Sequence, residues 1–241
     1  VDSYRKDIAA KKTVFSHFQW LRTHVKDQKD IKLASKFIPN HYVALMHSDV
    51  LVPAPEDLES SNVAGNNRVV GDSSVTSIDI HDIARSAKTY GLKGYFVVTK
   101  LIDQQKIVNK LLEFWKVGSG VTYNVHRHKA VKEVELAESL DSVIEKIESI
   151  EGKKPVIIVT SAQEIGEDKK ITYYDQEVVW APERPVLLLL GTARGLSPKL
   201  VEKADYALPP LYGFSSFNHL SVRSAAAVIF DRWLGISRTK I

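Results

Sequence analysis

Four side chains able to hold or move a proton crowd into a single stretch, Ser74 to Ala87: Asp79, His81, Asp82 and Arg85. The pattern predicts a helix with Asp79 as its N-cap and Asp82 at the third helical position, where carboxylates satisfy the free N–H groups of the first turn. His81 and Arg85 are four apart and share a face, while Ile80, Ile83, Ala84 and Ala87 form the buried side. Carboxylates within hydrogen-bond reach of a substrate are competent general bases. A guanidinium presents a planar fork of donors that orients a phosphate or an acceptor oxygen in a way an ammonium does not. The plain alternative is an Arg85–Asp82 pair one turn apart, worth only about 0.2–0.5 kcal/mol.

Two further groups have chemical types worth weighing. His126 and His128 alternate in Asn124–His128, which reads as a strand. That spacing can serve a metal, but no third ligand stands nearby, so no metal site is expected, and contact with a nucleic acid or ordinary surface fits better. Gly191, Gly195 and Gly213 permit close approach of backbone to a ligand. The run Leu208-Pro209-Pro210-Leu211-Tyr212-Gly213 cannot be regular helix or central strand, so it is a loop with exposed backbone. Neither a phosphate-binding P-loop with its lysine nor a dinucleotide fingerprint is present, which weighs against kinases, ATPases and dehydrogenases.

The elements that must position these residues alternate strand and helix. Buried strands are expected at Tyr42–His47, Tyr95–Thr99, Pro155–Thr160 and Val186–Leu190, with helices at Asp103–Trp115 and Ser139–Ile150. This is the signature of an α/β domain with a parallel sheet and helices on both faces. Ser197 followed by Pro198 marks a helix start. A last helix is expected from about Phe217 to Trp233, whose Ser224, Ala225, Ala226 and Ala227 let another backbone come close. Asp57–Gly71 and Gly118–Tyr123 read as loops, and Ile171–Tyr174 as a weak strand inside a polar loop from Ser161 to Ala181. Residues 1–38 form a basic helical arm, expected to be a linker or the tail of a preceding domain, and 39–241 the main domain.

The 241 residues carry 33 Lys and Arg against 29 Asp and Glu, and the amino-terminal arm is itself basic, which suits either phosphate contact or a solvated surface. No apolar run reaches the roughly 20 residues of a membrane span, so no membrane partner is expected. The absence of cysteine excludes disulfides and thiolate chemistry and accords with a reducing, cytoplasmic setting. The chain opens at Val1 without an initiator Met or a signal-peptide pattern, so fusion to a preceding domain is expected.

Three runs together resemble part of one known family. Leu190-Gly191-Thr192-Ala193-Arg194-Gly195-Leu196, then Leu208 to Gly213, then Ser216-Phe217-Asn218-His219-Leu220-Ser221-Val222 are similar to the last two motifs of SPOUT-superfamily RNA methyltransferases. Asp79 and Arg85 match the spacing of the Asn and Arg of the ribose-methylating branch. The resemblance covers roughly residues 40–237. It implies a carboxy-terminal trefoil knot, which connection rules alone would never suggest, and S-adenosylmethionine as cofactor. It also implies a tRNA or rRNA substrate and a homodimer whose site is completed at the subunit interface. The cofactor is expected against Leu190, Gly191, Thr192, Gly195, Leu208, Pro209, Leu211, Gly213, Asn218, His219, Leu220 and Ser221. Arg85 is implied to align or deprotonate the acceptor, and Asp79 or Asp82 to take a proton if a base nitrogen is attacked. Two departures mark an unusual branch: Ala193 stands where many relatives have Glu in a longer loop, and His219 and Leu220 separate Asn218 from Ser221. Ribose oxygen and base nitrogen both remain open as acceptors. The rivals are a catalytically weak cofactor- or RNA-binding domain appended to another RNA-modifying enzyme and a plain nucleotide-binding α/β domain.

Overall fold

A computed structural model describes residues 2–24, 28–54 and 68–237. Three helices open the chain, α1 (Asp2–Ser16), α2 (Phe18–His24) and α3 (Gln28–Ala34), and lead into β1 (His41–Met46). A hairpin of β2 (Ser48–Pro53) and β3 (Arg68–Asp72) follows, then α4 (Ser77–Thr89), β4 (Gly94–Val98), α5 (Ile102–Lys116), α6 (Gly120–Tyr123), α7 (Val125–Val131) and β5 (Val134–Ala137). The second half runs α8 (Leu140–Glu151), β6 (Val156–Val159), α9 (Gln176–Trp180), β7 (Val186–Gly191), α10 (Pro198–Glu202), β8 (Tyr206–Ala207) and α11 (Val222–Leu234). Six strands form one sheet in the order β5-β4-β1-β7-β6-β8, every neighbouring pair parallel.

The central strands are buried on both faces, as their unbroken apolar runs require. Alternate side chains feed two cores. Val43, Leu45, Leu188 and Leu190 face α4, α5 and α11, whereas Tyr42, Ala44, Leu187 and Leu189 face α8 and α10. Among the described residues no helix is long and apolar enough to cross a membrane.

Several expectations change. The α4 N-cap is Thr76, not Asp79: its Oγ1 accepts from the Asp79 amide at 3.3 Å, and Asp79 lies at the third helical position, its carboxylate accepting from Thr76 Oγ1. The hydroxyl thus satisfies one free amide of the first turn, and the carboxylate three residues on holds that hydroxyl in place. Asp82 therefore sits a turn deeper than expected. Residues 125–131 are helix, because Asn124 Oδ1 accepts from the Arg127 amide at 2.9 Å and so caps it, and Ala130 and Val131 bury. On a helix His126 and His128 point different ways. Among the described residues no group of three or more His, Asp or Glu is placed to hold a metal ion.

Gly118–Tyr123, expected as loop, holds the short helix α6. The weak strand at Ile171–Tyr174 is reduced to a bridge from Lys170 to Ala207, with Ile171 and Tyr173 buried. Of the loop expected at Asp57–Gly71, residues 57–67 lie outside the described residues, and Arg68–Gly71 belong to β3. The last helix starts five residues later than expected. Ser221 caps it by accepting from the Ser224 amide, and Asn218 is drawn away by a 2.9 Å bond from its Nδ2 to the Ala162 carbonyl.

The amino-terminal arm, expected as a linker, joins the main core. Phe15 and Phe18 stand edge-on to Trp180, with ring centroids 5.7 and 4.7 Å away, while Trp20 remains exposed. The Arg22 guanidinium donates to the carbonyls of Asp231, Arg232 and Gly235 at the end of α11. Beneath this contact the buried His41 Nε2 accepts from the indole N–H of both Trp180 (3.2 Å) and Trp233 (3.0 Å), with its Nδ1 2.7 Å from the Pro39 carbonyl. Two donors on one ring nitrogen require His41 to be neutral with its proton on Nδ1, and burial holds its pKa down to about 4.

Candidate functional site

A cavity of about 660 Å³ opens at the carboxyl ends of β1 and β7, where parallel sheets commonly place ligands. Its walls come from parts of the chain far apart in sequence. The first is the loop after β7. The Gly195 amide donates to the Thr192 carbonyl at 3.0 Å, Ala193 adopts φ 52° and Gly195 φ 108°, so the chain doubles back within five residues. The fold leaves no room for a side chain at Gly191, where a Cβ would come 2.8 Å from the Leu196 nitrogen. Strand β2 holds this loop from outside: the Arg194 amide donates to the Leu51 carbonyl and the Leu51 amide to the Gly195 carbonyl.

The second wall is the irregular segment after β8, which contributes Pro209 and Leu211. The third comprises Asn218, His219, Leu220 and Ser221, and α11 adds an apolar side through Val222, Ala225 and Ile229. Beyond the Asn218 bond, Tyr212 donates to Glu164 at 2.9 Å, so two ties hold the segment between them to the loop after β6. Of the residues expected around a cofactor, Leu190, Gly191, Thr192, Gly195, Pro209, Leu211 and Asn218 to Ser221 line this one cavity. Leu208 and Gly213 do not. Leu208 is buried with its amide bonded to the Val159 carbonyl, and Gly213 lies exposed.

The floor is polar. Thr192 Oγ1 donates to the Met46 carbonyl at 2.8 Å and meets Ser73 Oγ, which in turn lies 3.1 Å from His47 Nδ1. Burial keeps His47 neutral, its pKa pushed down to about 4 despite the nearby Asp79 charge. The Tyr95 hydroxyl, buried in the same region, is held well above its usual range by burial first and by Asp79 second.

Asp79 lines the cavity and is 8% exposed. Its Oδ1 is 3.2 Å from the Arg223 guanidinium, whose Nε lies 3.6 Å from Asp82 Oδ2. Arg223 thus clasps both carboxylates from α11. Arg85 is not part of this clasp. It is exposed, on a separate open groove shared with Asp82, Ser86, Tyr90, Arg223 and Ser224. The sequence reading missed Arg223. The available signal was that it is the only charged residue from Ser221 to Phe230, in a run of small and apolar ones.

Comparison with known proteins bears on this arrangement. A family model described as SAM-dependent RNA methyltransferase matches residues 60–235. A protein of Oleidesulfovibrio alaskensis named tRNA (guanine-N(1)-)-methyltransferase is 36% identical over 240 residues, covering 98% of this chain and 52% of that protein. One of the same name from Nitratidesulfovibrio vulgaris is 38% identical over 196 residues, 81% of this chain and 42% of that protein. The chain spans about half the length of these curated relatives. A solved structure of a probable methylase family protein from Haemophilus influenzae Rd KW20 shares the fold, with a TM-score of 0.50 at 16% identity over 81% of this chain and 65% of that one.

Proposed function

Since the chain belongs to the family of SAM-dependent RNA methyltransferases, we propose that it methylates RNA, tRNA or rRNA, in the cytoplasm, with S-adenosylmethionine held in the 660 Å³ cavity. The observation that carries this reading is the convergence on one cavity of the three expected loops with the Asp79 end of α4. The site fits the cofactor in size, since small-molecule pockets span about 300–1,000 Å³. It also fits in chemistry. Leu211, Val222, Ala225 and Ile229 offer apolar surface for an adenine ring, while the bent backbone at Leu190–Thr192, Pro209–Leu211 and Asn218–Ser221 offers N–H and C=O groups for its edge.

The sulfonium of the bound cofactor supplies an already activated methyl group, so the protein has only to position the acceptor and take up a proton. We assign the second task to Asp79, a reading supported by its position on the cavity lining and by the Arg223 guanidinium 3.2 Å from its Oδ1. Arg85 and the groove beside it would receive RNA or, in a homodimer, complete the partner's site. The carboxy-terminal knot and the homodimer both belong to this proposal.

The rival reading is a catalytically weak cofactor- or RNA-binding domain appended to another RNA-modifying enzyme, which the family match and the names of the curated relatives do not favour. The two separate cleanly. Calorimetry should show binding of S-adenosylmethionine and its demethylated product without added metal, and a labelled methyl group should pass to bulk unmodified RNA. Cofactor or RNA binding without transfer supports the second reading, and absence of binding to cofactor and RNA alike removes both. Mass spectrometry of the RNA nucleosides then identifies the acceptor as ribose oxygen or base nitrogen.

A further inference from the structure

We propose that the outer surface of α5, α6 and α7 docks an unpaired stretch of the RNA, an inference that rests on the RNA-methylating reading above. Between Glu113 and Glu133 the chain carries Arg127, Lys129 and Lys132 and neither Asp nor Glu, while Lys116 turns its ammonium inward to the Val134 carbonyl. Interleaved with them are exposed rings and apolar side chains: Phe114, Val117, Tyr123 and Val125, with Tyr123 79% exposed. Cations beside freely presented rings are what a single strand needs, because phosphates meet the former and unstacked bases lie on the latter.

The rings form a connected group rather than scattered exposures. Phe114 and Tyr123 have centroids 5.1 and 6.4 Å from that of Trp115, and the Arg127 guanidinium sits 4.9 Å from the Trp115 centroid. Trp115 in turn meets His81 of α4 edge-on at 5.3 Å. The surface is therefore continuous with the helix that carries Asp79 and Asp82, and a strand lying on it is led toward the cavity. The charge pattern favours RNA over a second copy of the chain. A two-fold contact through this surface sets the same cations against themselves, which is unfavourable without intervening acids.

The test is RNA binding by wild type and by the double variant Tyr123→Ala/Lys129→Gln, with bulk unmodified tRNA as probe at several salt concentrations. Both side chains are exposed, so circular dichroism and cofactor affinity should stay at wild-type values. The expected result is RNA affinity weaker by about tenfold or more and a salt slope reduced by about 0.7–0.9, the loss of one phosphate contact. Unchanged affinity in the variant overturns the inference and leaves the function reading intact. Failure of the wild type to bind any RNA overturns both. A variant that changes from dimer to monomer in sedimentation while keeping its RNA affinity also overturns it, by assigning the surface to contact between copies.

Discussion

His41 should make the stability of this protein depend on pH in a range where most carboxylates are silent. Its ring nitrogen takes the N–H of Trp180 and of Trp233, and protonation would turn that acceptor into a third donor. Burial accordingly lowers its pKa from 6.5 to about 4. In the unfolded chain the group titrates at its ordinary value, so above pH 6.5 both states are neutral and the full stability is present. As pH falls below that value the unfolded state binds a proton that the folded state refuses. Stability is lost progressively until the folded pKa near 4 is reached. The interval corresponds to about 3 kcal/mol at 1.36 kcal/mol per unit, which moves a urea midpoint by about 1 M or more. His47, whose pKa is lowered to about the same value, adds a second loss over the same range. The assay is urea denaturation at a series of pH values for wild type and His41→Gln, which keeps an acceptor for the indoles and removes the titration. The variant should lose roughly half of the pH dependence. A wild-type midpoint that stays flat from pH 6.5 to about pH 5, or an undiminished slope in His41→Gln, would refute the reasoning.

Phe18→Ala should cost about 3–5 kcal/mol in the same denaturation assay, because it empties the space against Trp180. Removal of residues 1–24 should abolish cooperative unfolding at the wild-type midpoint, and an unaltered midpoint would show that the arm is dispensable. Arg85→Ala and Arg85→Lys should each reduce methyl transfer ~100-fold, about 2.7 kcal/mol of transition-state stabilisation, with cofactor affinity unchanged and Arg194→Ala doing less. Retained activity in Arg85→Ala would make that residue ordinary surface. Gly191→Ala should weaken cofactor binding at least about tenfold in calorimetry, since the added Cβ meets loop backbone at 2.8 and 2.9 Å. Unchanged binding would mean that the loop yields without reshaping the site.

The strands and long helices could be read because their apolar runs and caps are local properties. Val186–Leu190 and Ser139–Ile150 needed no partner to declare themselves. Features set by tertiary contact could not be read in this way. The β2–β3 hairpin has neither a long run nor a tight turn, and it is held by the loop after β7. The α7 helix was hidden because Val125-His126-Arg127-His128 alternates by chance, although Asn124 was a visible cap. The loops expected around a cofactor were legible through their glycines, prolines and family likeness, and most of their expected residues line one cavity. Arg223 was not, because its importance lies in standing opposite residues of α4 well over 100 positions earlier.

Strand β1 pairs with β7, with His41 opposite Val186 and Met46 opposite Gly191. The centre of the sheet is thus closed by segments about 145 positions apart in the chain. Contacts of such separation form late and slowly, since the intervening loop must be ordered before they are rewarded. During synthesis the amino-terminal helices and β1 emerge long before their neighbours on this side exist, leaving Phe15, Phe18 and the flank of β1 exposed as sticky surface. The cavity comes later still, because α11 supplies its last wall. A nascent chain short of about residue 230 lacks that wall, so a ligand in the cavity stabilises only a chain whose α11 has docked, acting as a checkpoint on that step rather than as a guide to earlier folding.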